Sequence, residues 1–233
     1  MDSFRLTVDS QRSVSALLVK PVDPVAYFVF AHGAGAGMTH PFMEEMVAAL
    51  FARRVATLRY QFPYMEAHSR RPDQPVVAQA TVRAAVAAAW QHCPDLPLIA
   101  GGKSFGGRMT SQAQAASPLP HVSGLVFFGF PLHAAGKPSA ERATHLSKVM
   151  IPMLFLQGSK DKLAEPALIS AVTHDLGDRA TLHIINEADH SFHVPARSGR
   201  TDQGVIDETA AILAHWLTSA VEKGVEINSP TRR

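Results

Sequence analysis

Residues 96–116, LPLIAGGKSFGGRMTSQAQAA, contain the stretch that decides the fold. A short apolar run, Leu98–Ala100, leads into GGKSFGG, and the residues after it are compatible with a helix. Residues 102–106 match G-x-S-x-G, the pattern of a serine on a sharp turn between a strand and a helix. Both glycines are needed because side chains there would clash with neighbouring backbone. The pattern predicts that Ser104 is a nucleophile at the sheet edge, where the following helix N-terminus favours negative charge.

A phosphate-binding pattern overlaps the same residues. Gly102-Lys103-Ser104 could end the motif G-x-x-x-x-G-K-[ST]. That motif requires glycine at position 97, where this chain has Pro97, and an irregular loop where Leu98–Ala100 is strand-like. A nucleotide-binding protein that uses GGKS is therefore the less favoured alternative.

Length and composition limit the class of protein. The chain has 233 residues, 46% hydrophobic and 18% charged, which predicts one globular domain over residues 1–221 and a polar tail over 222–233. Cys93 is the only cysteine, so no internal disulfide can form and a cytoplasmic location is expected. We find no secretory signal at the N-terminus and no apolar run long enough for membrane insertion.

Charge and histidine content argue against two further classes. The net charge is +2 and basic residues occur at most in pairs, which does not favour nucleic-acid binding. The 12 histidines are scattered without the spacing of a zinc site. We therefore predict no metal, no cofactor and no nucleic-acid partner. The sequence gives no basis for an oligomeric state.

Hydrophobic periodicity predicts an α/β protein. Residues 4–8 and 14–19 alternate apolar and polar side chains around a polar turn, which is typical of an antiparallel hairpin. Apolar runs of strand length then alternate with helix-compatible segments, which predicts a mostly parallel sheet covered by helices on both faces. The further strands are expected at 26–31, 55–58, 98–100, 122–128, 153–156 and 181–185, and the closing helix at about 202–221. Residues 59–75 and 129–149 are expected to be irregular.

An acid and a histidine follow Ser104 in the order that a nucleophilic serine requires. Asp161 follows the predicted strand 153–156, and His190 follows the strand 181–185. Taken singly, Asp161 is explained as a solvated carboxylate and His190 as an exposed or capping histidine. Their order and their positions after strands instead predict an acid that orients a base, and a base that activates Ser104. His193 is a weaker candidate for the base.

The glycine-rich segment Gly33–Gly37 follows the third strand. Small residues there let backbone N–H groups approach a substrate oxygen, so we predict an oxyanion hole formed by the N–H groups of Ala34 and Phe105. His32 is expected to shape this turn. The dinucleotide pattern G-x-G-x-x-G fails, because its last position falls on Met38.

With these residues in place, the chain is similar to the alpha/beta-hydrolases over nearly its whole length. It resembles a small, lidless, dienelactone-hydrolase-like branch, through GFPLH at 129–133, GKP at 136–138 and QFPYM at 61–65. The resemblance implies an eight-stranded sheet and a triad of Ser104, Asp161 and His190, but no particular substrate. Dienelactone hydrolases use a cysteine nucleophile, so their reaction does not transfer.

The function expected from these residues is hydrolysis of small carboxylic esters or thioesters through an acyl-enzyme. Too few residues separate Phe128 from Met153 for a large cap domain, which predicts a shallow cleft for short acyl chains. We expect substrate-binding side chains at Phe62, Tyr64, Leu132 and Phe192. A catalytically silent hydrolase fold that serves as an interaction module is the main alternative.

Lys103 departs from the residues common in esterase elbows, which have His, Tyr, Glu or Asp at this place. Two interpretations stay open: a surface or salt-bridged lysine, or a cation that favours anionic substrates.

Overall fold

One eight-stranded sheet organises the chain. The computed structural model describes the backbone of residues 1–227 and the side chains of residues 1–218. The strands are β1 (Asp2–Thr7), β2 (Ser13–Val19), β3 (Ala26–Ala31), β4 (Val55–Tyr60), β5 (Leu98–Lys103), β6 (Val122–Phe128), β7 (Met153–Gly158) and β8 (Ala180–Ile185). The α-helices are α1 (Pro41–Phe51), α2 (Pro63–Glu66), α3 (Pro75–His92), α4 (Phe105–Ala116), α5 (Pro166–Asp175) and α6 (Asp202–Ile227).

The strand order is β1-β2-β4-β3-β5-β6-β7-β8. β1 pairs with β2 and β2 with β4 in antiparallel fashion, and all other pairs are parallel. The opening hairpin closes through Asp9, whose carboxylate accepts hydrogen bonds from the N–H groups of Gln11 and Arg12, each at 2.9 Å. The predicted fold class, a mostly parallel sheet that starts with an antiparallel hairpin, is confirmed.

The core lies in two layers, one on each face of the sheet. Successive residues of a strand point to opposite faces, and β3 is buried on both: Tyr27 and Val29 pack with α3 and α4, whereas Phe28 and Phe30 pack with α1 and α6. Parallel strands covered on both faces are continuously apolar. Because all parallel strands point the same way, their carboxyl ends, including those of β3, β5, β7 and β8, meet at one edge of the sheet.

Three local predictions need correction. The segment 59–75 contains the end of β4 and all of α2, which begins at Pro63, a residue that fits the first turn of a helix. The segment 129–149 contains a 3-10 helix, Glu141–Lys148, and no further domain. α6 extends to Ile227, beyond the predicted end near 221, because no proline interrupts residues 202–227 and Glu and Lys favour helix.

The predicted polar tail, 222–233, thus begins inside α6, and residues 228–233 lie outside the described part of the chain. The proposed division at residue 221 stays a prediction. Within residues 1–227, no helix combines the length and the hydropathy that crossing a membrane requires.

Candidate active site

Ser104 lies between β5 and α4 in a strained backbone conformation. Its φ of 49° and ψ of −111° place a non-glycine residue at positive φ, which persists only where surrounding structure imposes it. The Ser104 N–H donates to the carbonyl of Phe128 at 3.0 Å, and the Ser104 carbonyl accepts from the N–H of Arg108 at 3.1 Å. The turn is therefore fixed on one side by β6 and on the other by the first turn of α4.

The two glycines of the pattern are required by close backbone packing. A Cβ at Gly102 would lie 2.4 Å from the carbonyl oxygen of Ala31, and one at Gly106 would lie 2.6 Å from that of His32. Such distances are well inside van der Waals contact, so alanine at Gly102 would force β5 away from β3, and alanine at Gly106 would force α4 away from the end of β3. The strand also continues through Lys103, three residues beyond the predicted apolar run.

Ser104, His190 and Asp161 form one chain of hydrogen bonds. His190 Nε2 lies 2.9 Å from Ser104 Oγ, and His190 Nδ1 lies 2.7 Å from Asp161 Oδ2. Because a carboxylate only accepts, Nδ1 carries the proton and Nε2 accepts from the serine hydroxyl. Asp161 is buried, whereas the His190 side chain is a quarter exposed.

Gln157, a buried residue near the end of β7, completes the surroundings of Asp161. Its side-chain amide donates to Asp161 Oδ2 at 2.6 Å, and its Oε1 accepts from the N–H of Phe130 at 2.9 Å. The N–H of Leu163 donates to Asp161 Oδ1 at 2.8 Å. Sequence reasoning missed Gln157, although a glutamine in the apolar strand MLFLQG was the available signal.

Asp189, next to His190 in sequence, bonds to the backbone of its own loop, whereas Asp161 bonds to the His190 ring. Asp189 Oδ1 accepts from the N–H groups of Ser191 at 2.7 Å and His193 at 3.0 Å, so Asp189 stabilises the loop and not the imidazole ring. His193 pairs instead with Asp202 at 2.8 Å on the surface. That hydrogen bond raises the pKa of His193.

His32 orders the turn that follows β3. The N–H of Phe62 donates to His32 Nε2 at 3.1 Å, so the ring proton is on Nδ1, which donates to the carbonyl of Gly33 at 2.7 Å. Complete burial lowers the pKa of His32 to about 4 and keeps the ring neutral. The expectation that His32 shapes the turn agrees with this geometry.

Side chains from the β4–α2 segment hold the rest of this loop, residues 33–38. The Tyr64 hydroxyl accepts from the N–H of Gly35 at 2.9 Å. Gln61 Oε1 accepts from the N–H of Met38 at 2.9 Å, and Arg59 donates to the Met38 carbonyl at 3.0 Å. Together with the bond from His32 to the Gly33 carbonyl, these bonds fix the backbone on both sides of the Ala34 N–H.

A cavity of about 370 Å³ opens beside Ser104. Its other walls are Gly33 and Ala34, the start of α1 with His40 and Phe42, and Leu163 and Ser191 from the two loops that follow β7 and β8. A larger, more open depression of about 670 Å³ lies around Arg12 and Arg71, away from Ser104. Of the two, only the smaller cavity is lined by Ser104 and His190.

The four side chains expected to bind substrate occupy other positions. Phe62 packs edge-on against Phe105 at 5.3 Å, and Phe192 packs against Phe42 at 5.4 Å. Tyr64 borders the larger depression, and Leu132 is fully buried in the core. None of the four is among the residues that line the cavity at Ser104, so their binding to substrate stays a prediction.

The Lys103 side chain is buried, with 9% of the residue exposed, and its amine donates to the carbonyl of His190. It is neither a surface lysine nor part of an ion pair within the described residues. The nucleotide-binding alternative needs this amine free to reach phosphates, and β5 occupies the place of the required loop. The geometry argues against that alternative.

Comparison with known proteins agrees with the fold. Residues 24–218 match the sequence model of the alpha/beta hydrolase domain. The chain belongs to the alpha/beta-hydrolase family. The superfamily that the motifs implied is thus confirmed, and the family assignment supports a hydrolase.

Solved alpha/beta-hydrolases share the architecture at low sequence identity. A dienelactone hydrolase from Anabaena variabilis superposes with a TM-score of 0.73 at 21% identity, over 94% of this chain and 96% of that one. A lidless alpha/beta serine hydrolase from Xanthomonas campestris gives 0.68 at 18% identity, over 91% and 94%. An alpha/beta serine hydrolase homologue from Coxiella burnetii gives 0.73 at 17% identity, over 93% and 97%. These likenesses concern the fold.

Proposed function

We propose that the protein is a serine hydrolase that cleaves small carboxylic esters or thioesters. The observation that carries the proposal is the hydrogen-bonded chain from Ser104 Oγ through the His190 ring to Asp161 Oδ2, at 2.9 and 2.7 Å. These are the separations at which a base takes the proton of a nucleophile and an acid orients the base. The strained turn at Ser104 and the adjacent cavity support the same conclusion.

In the proposed reaction, Ser104 Oγ attacks the substrate carbonyl carbon while its proton passes to His190 Nε2. The resulting tetrahedral oxyanion collapses, the C–O or C–S bond breaks, and the Nε2 proton goes to the leaving alcohol or thiol. Water then attacks the acyl-enzyme with His190 again as the base, and the acid and free Ser104 are released. Asp161 holds Nδ1 protonated throughout. These steps use only the residues named and water.

The N–H groups of Ala34 and Phe105 are the proposed oxyanion donors. The N–H of Phe105 is the first N–H group of α4, where the helix itself supplies no acceptor and the helix dipole favours negative charge. Among the described residues, the Ala34 N–H has no hydrogen-bond acceptor, which leaves it free for a substrate oxygen. His32 and Tyr64 hold the loop around Ala34, so this donor is preorganised, as electrostatic stabilisation requires.

The size of the cavity limits the substrate. At about 370 Å³ it is near the lower end of small-molecule sites, and no cap domain extends it within the described residues. We therefore propose short acyl chains and no activation at lipid interfaces. Faster turnover of emulsified long-chain esters than of acetate or butyrate esters would contradict this. A cytoplasmic location is part of the proposal, on the ground of the single, buried Cys93.

The first experiment is labelling with a fluorophosphonate probe, followed by intact-mass measurement. One covalent adduct is expected on the wild type and none on Ser104→Ala, with Ser111→Ala as the control for a buried serine on the same helix. A panel of p-nitrophenyl esters and acyl thioesters then identifies the acyl and leaving groups. A folded wild type that neither labels nor turns over any ester would favour the silent interaction module.

A further inference from the structure

Lys103 is a buried cation beside the proposed triad that the reaction described so far does not use. It is the last residue of β5 and directly precedes Ser104. Its ammonium nitrogen lies over the rings of Phe192 and Phe42, at 5.3 and 5.6 Å from their centroids. It donates a hydrogen bond to the backbone carbonyl of His190. The amine is thus covered by α1 on one side and by the His190 loop on the other.

Burial makes this lysine costly to the fold. Desolvation lowers the pKa of Lys103 to about 8, although the charges of Asp161 and Asp189 act in the opposite direction. No carboxylate oxygen of the described residues lies within ion-pair distance of the amine. The other titratable groups around it are His190 itself and His40 at the start of α1. A methionine of similar length would fill this space without burying a charge, so packing alone does not account for Lys103.

The contacts of Lys103 and Ser104 converge on one residue. Ser104 bonds to the ring of His190, and Lys103 bonds to its backbone carbonyl. Two adjacent residues of one rigid strand end therefore hold both the functional ring and the backbone of the proposed base. A Cβ at Gly129 would lie 3.2 Å from Lys103 Nζ and 3.3 Å from His190 Nδ1, so only a glycine separates the amine from the ring.

We propose that Lys103 is a positioning residue, whose hydrogen bond to the His190 carbonyl fixes the His190 loop so that Nε2 stays aligned with Ser104 Oγ. The inference rests on the proposed function. Alignment matters because a displacement of about 1 Å can lower a rate about 100-fold. Lys103 also borders the cavity, but its one hydrogen bond within the described residues goes to the His190 carbonyl, so we assign its effect to the base and not to the substrate.

The test compares Lys103→Met with Lys160→Met, using p-nitrophenyl acetate. Lys160 is an exposed lysine beside Asp161, so its replacement controls for a general loss of charge. Lys103→Met should lower kcat by about 10- to 100-fold with KM within about threefold of wild type. Its melting temperature near neutral pH should not fall, because a buried charge is removed. Lys160→Met should resemble wild type in both measurements.

Two results would overturn the inference. One is a folded Lys103→Met that keeps kcat within about threefold of wild type, and the other is a change in KM alone. If that variant does not fold, Lys103→Gln, which keeps an N–H donor without the charge, should retain a measurable, Ser104-dependent rate. A folded Lys103→Gln with no detectable turnover would assign the effect to charge and reject the hydrogen bond as its cause.

Failure of the proposed function is recognised separately. If the wild type shows no Ser104-dependent labelling or turnover, the hydrolase proposal fails whatever the Lys103 variants do. If the wild type is active and Lys103→Met equals it, only the role of Lys103 is rejected.

Discussion

The Ser104 turn and the 33–38 loop border the same cavity, but different forces shape them. The turn is held by backbone against backbone, with no room for a Cβ at Gly102 or Gly106. The loop is held by side chains of other segments, among them His32 and Tyr64. The first arrangement has no tolerance for change, whereas the second can lose one hydrogen bond at a time. Substitutions should therefore act in an all-or-none manner at the turn and by degrees at the loop.

The largest difference is expected between two glycine substitutions. Gly102→Ala places a Cβ 2.4 Å from the Ala31 carbonyl oxygen, and we expect no stable, active protein. Gly35→Ala adds a Cβ that has no atom within 4 Å. Its only penalty is the positive φ of 74°, which should lower the stability by about 1 kcal/mol. Soluble yield, melting temperature and fluorophosphonate labelling measure both. A Gly102→Ala protein with wild-type labelling would show that the turn is not held as described.

A second pair of substitutions compares two carboxylates near strand ends, Asp161 after β7 and Asp189 after β8. Asp161→Asn leaves His190 free to adopt the wrong tautomer, which in serine proteases lowers kcat about 10⁴-fold, and we expect the same order here. Asp189→Asn loses only hydrogen bonds within the loop and should lower kcat about tenfold or less. Steady-state kinetics with p-nitrophenyl acetate and circular dichroism of both variants check this. The reverse order of effects would make Asp189 the acid.

The same contrast explains what the sequence could and could not predict. The Ser104 turn depends on seven consecutive residues, and the order of Ser104, Asp161 and His190 follows from strand ends that meet at one edge. The roles of Gln157 and Tyr64, and the residues that line the cavity, depend on how separate loops meet. No local pattern reports that, so the buried Phe62 and the wall residue Leu163 could not be told apart from the sequence.

Acid should loosen the 33–38 loop before it affects the turn. The pKa of His32 is about 4 in the folded protein against 6.5 unperturbed, so between these values the unfolded chain binds more protons. The free energy of unfolding should therefore fall as the pH drops from 6.5 to 4, by about 3 kcal/mol from His32 alone.

Urea unfolding across this pH range measures the fall. His145, whose pKa burial also lowers to about 4, contributes in the same direction. His145→Asn removes that second contribution, and the remaining fall should persist. Stability that is independent of pH in this variant would mean that His32 is not buried in its neutral form.

A single hydroxyl at the loop should have a smaller effect. Tyr64→Phe removes the acceptor of the Gly35 N–H, and we expect a loss of about 1 kcal/mol in stability and roughly a three- to tenfold lower kcat. Tyr60→Phe is the matched control, because the Tyr60 hydroxyl is buried without a hydrogen-bond partner among the described residues. It should leave kcat unchanged and stability equal or higher. Equal kinetics for the two variants would remove Tyr64 from the support of the loop.

The smallest expected effect concerns the charge of the substrate. A lysine next to the nucleophile suggests a preference for anionic esters, which would be worth about 1 kcal/mol at an exposed site. The Lys103 amine is instead engaged by the His190 carbonyl and covered by Phe42 and Phe192. Lys103→Met should therefore raise KM for p-nitrophenyl hemisuccinate no more than for p-nitrophenyl butyrate, while kcat falls for both by the same factor. A rise in KM confined to the acidic ester would mean that the amine reaches the cavity, and Lys103 would then determine specificity and not the position of His190.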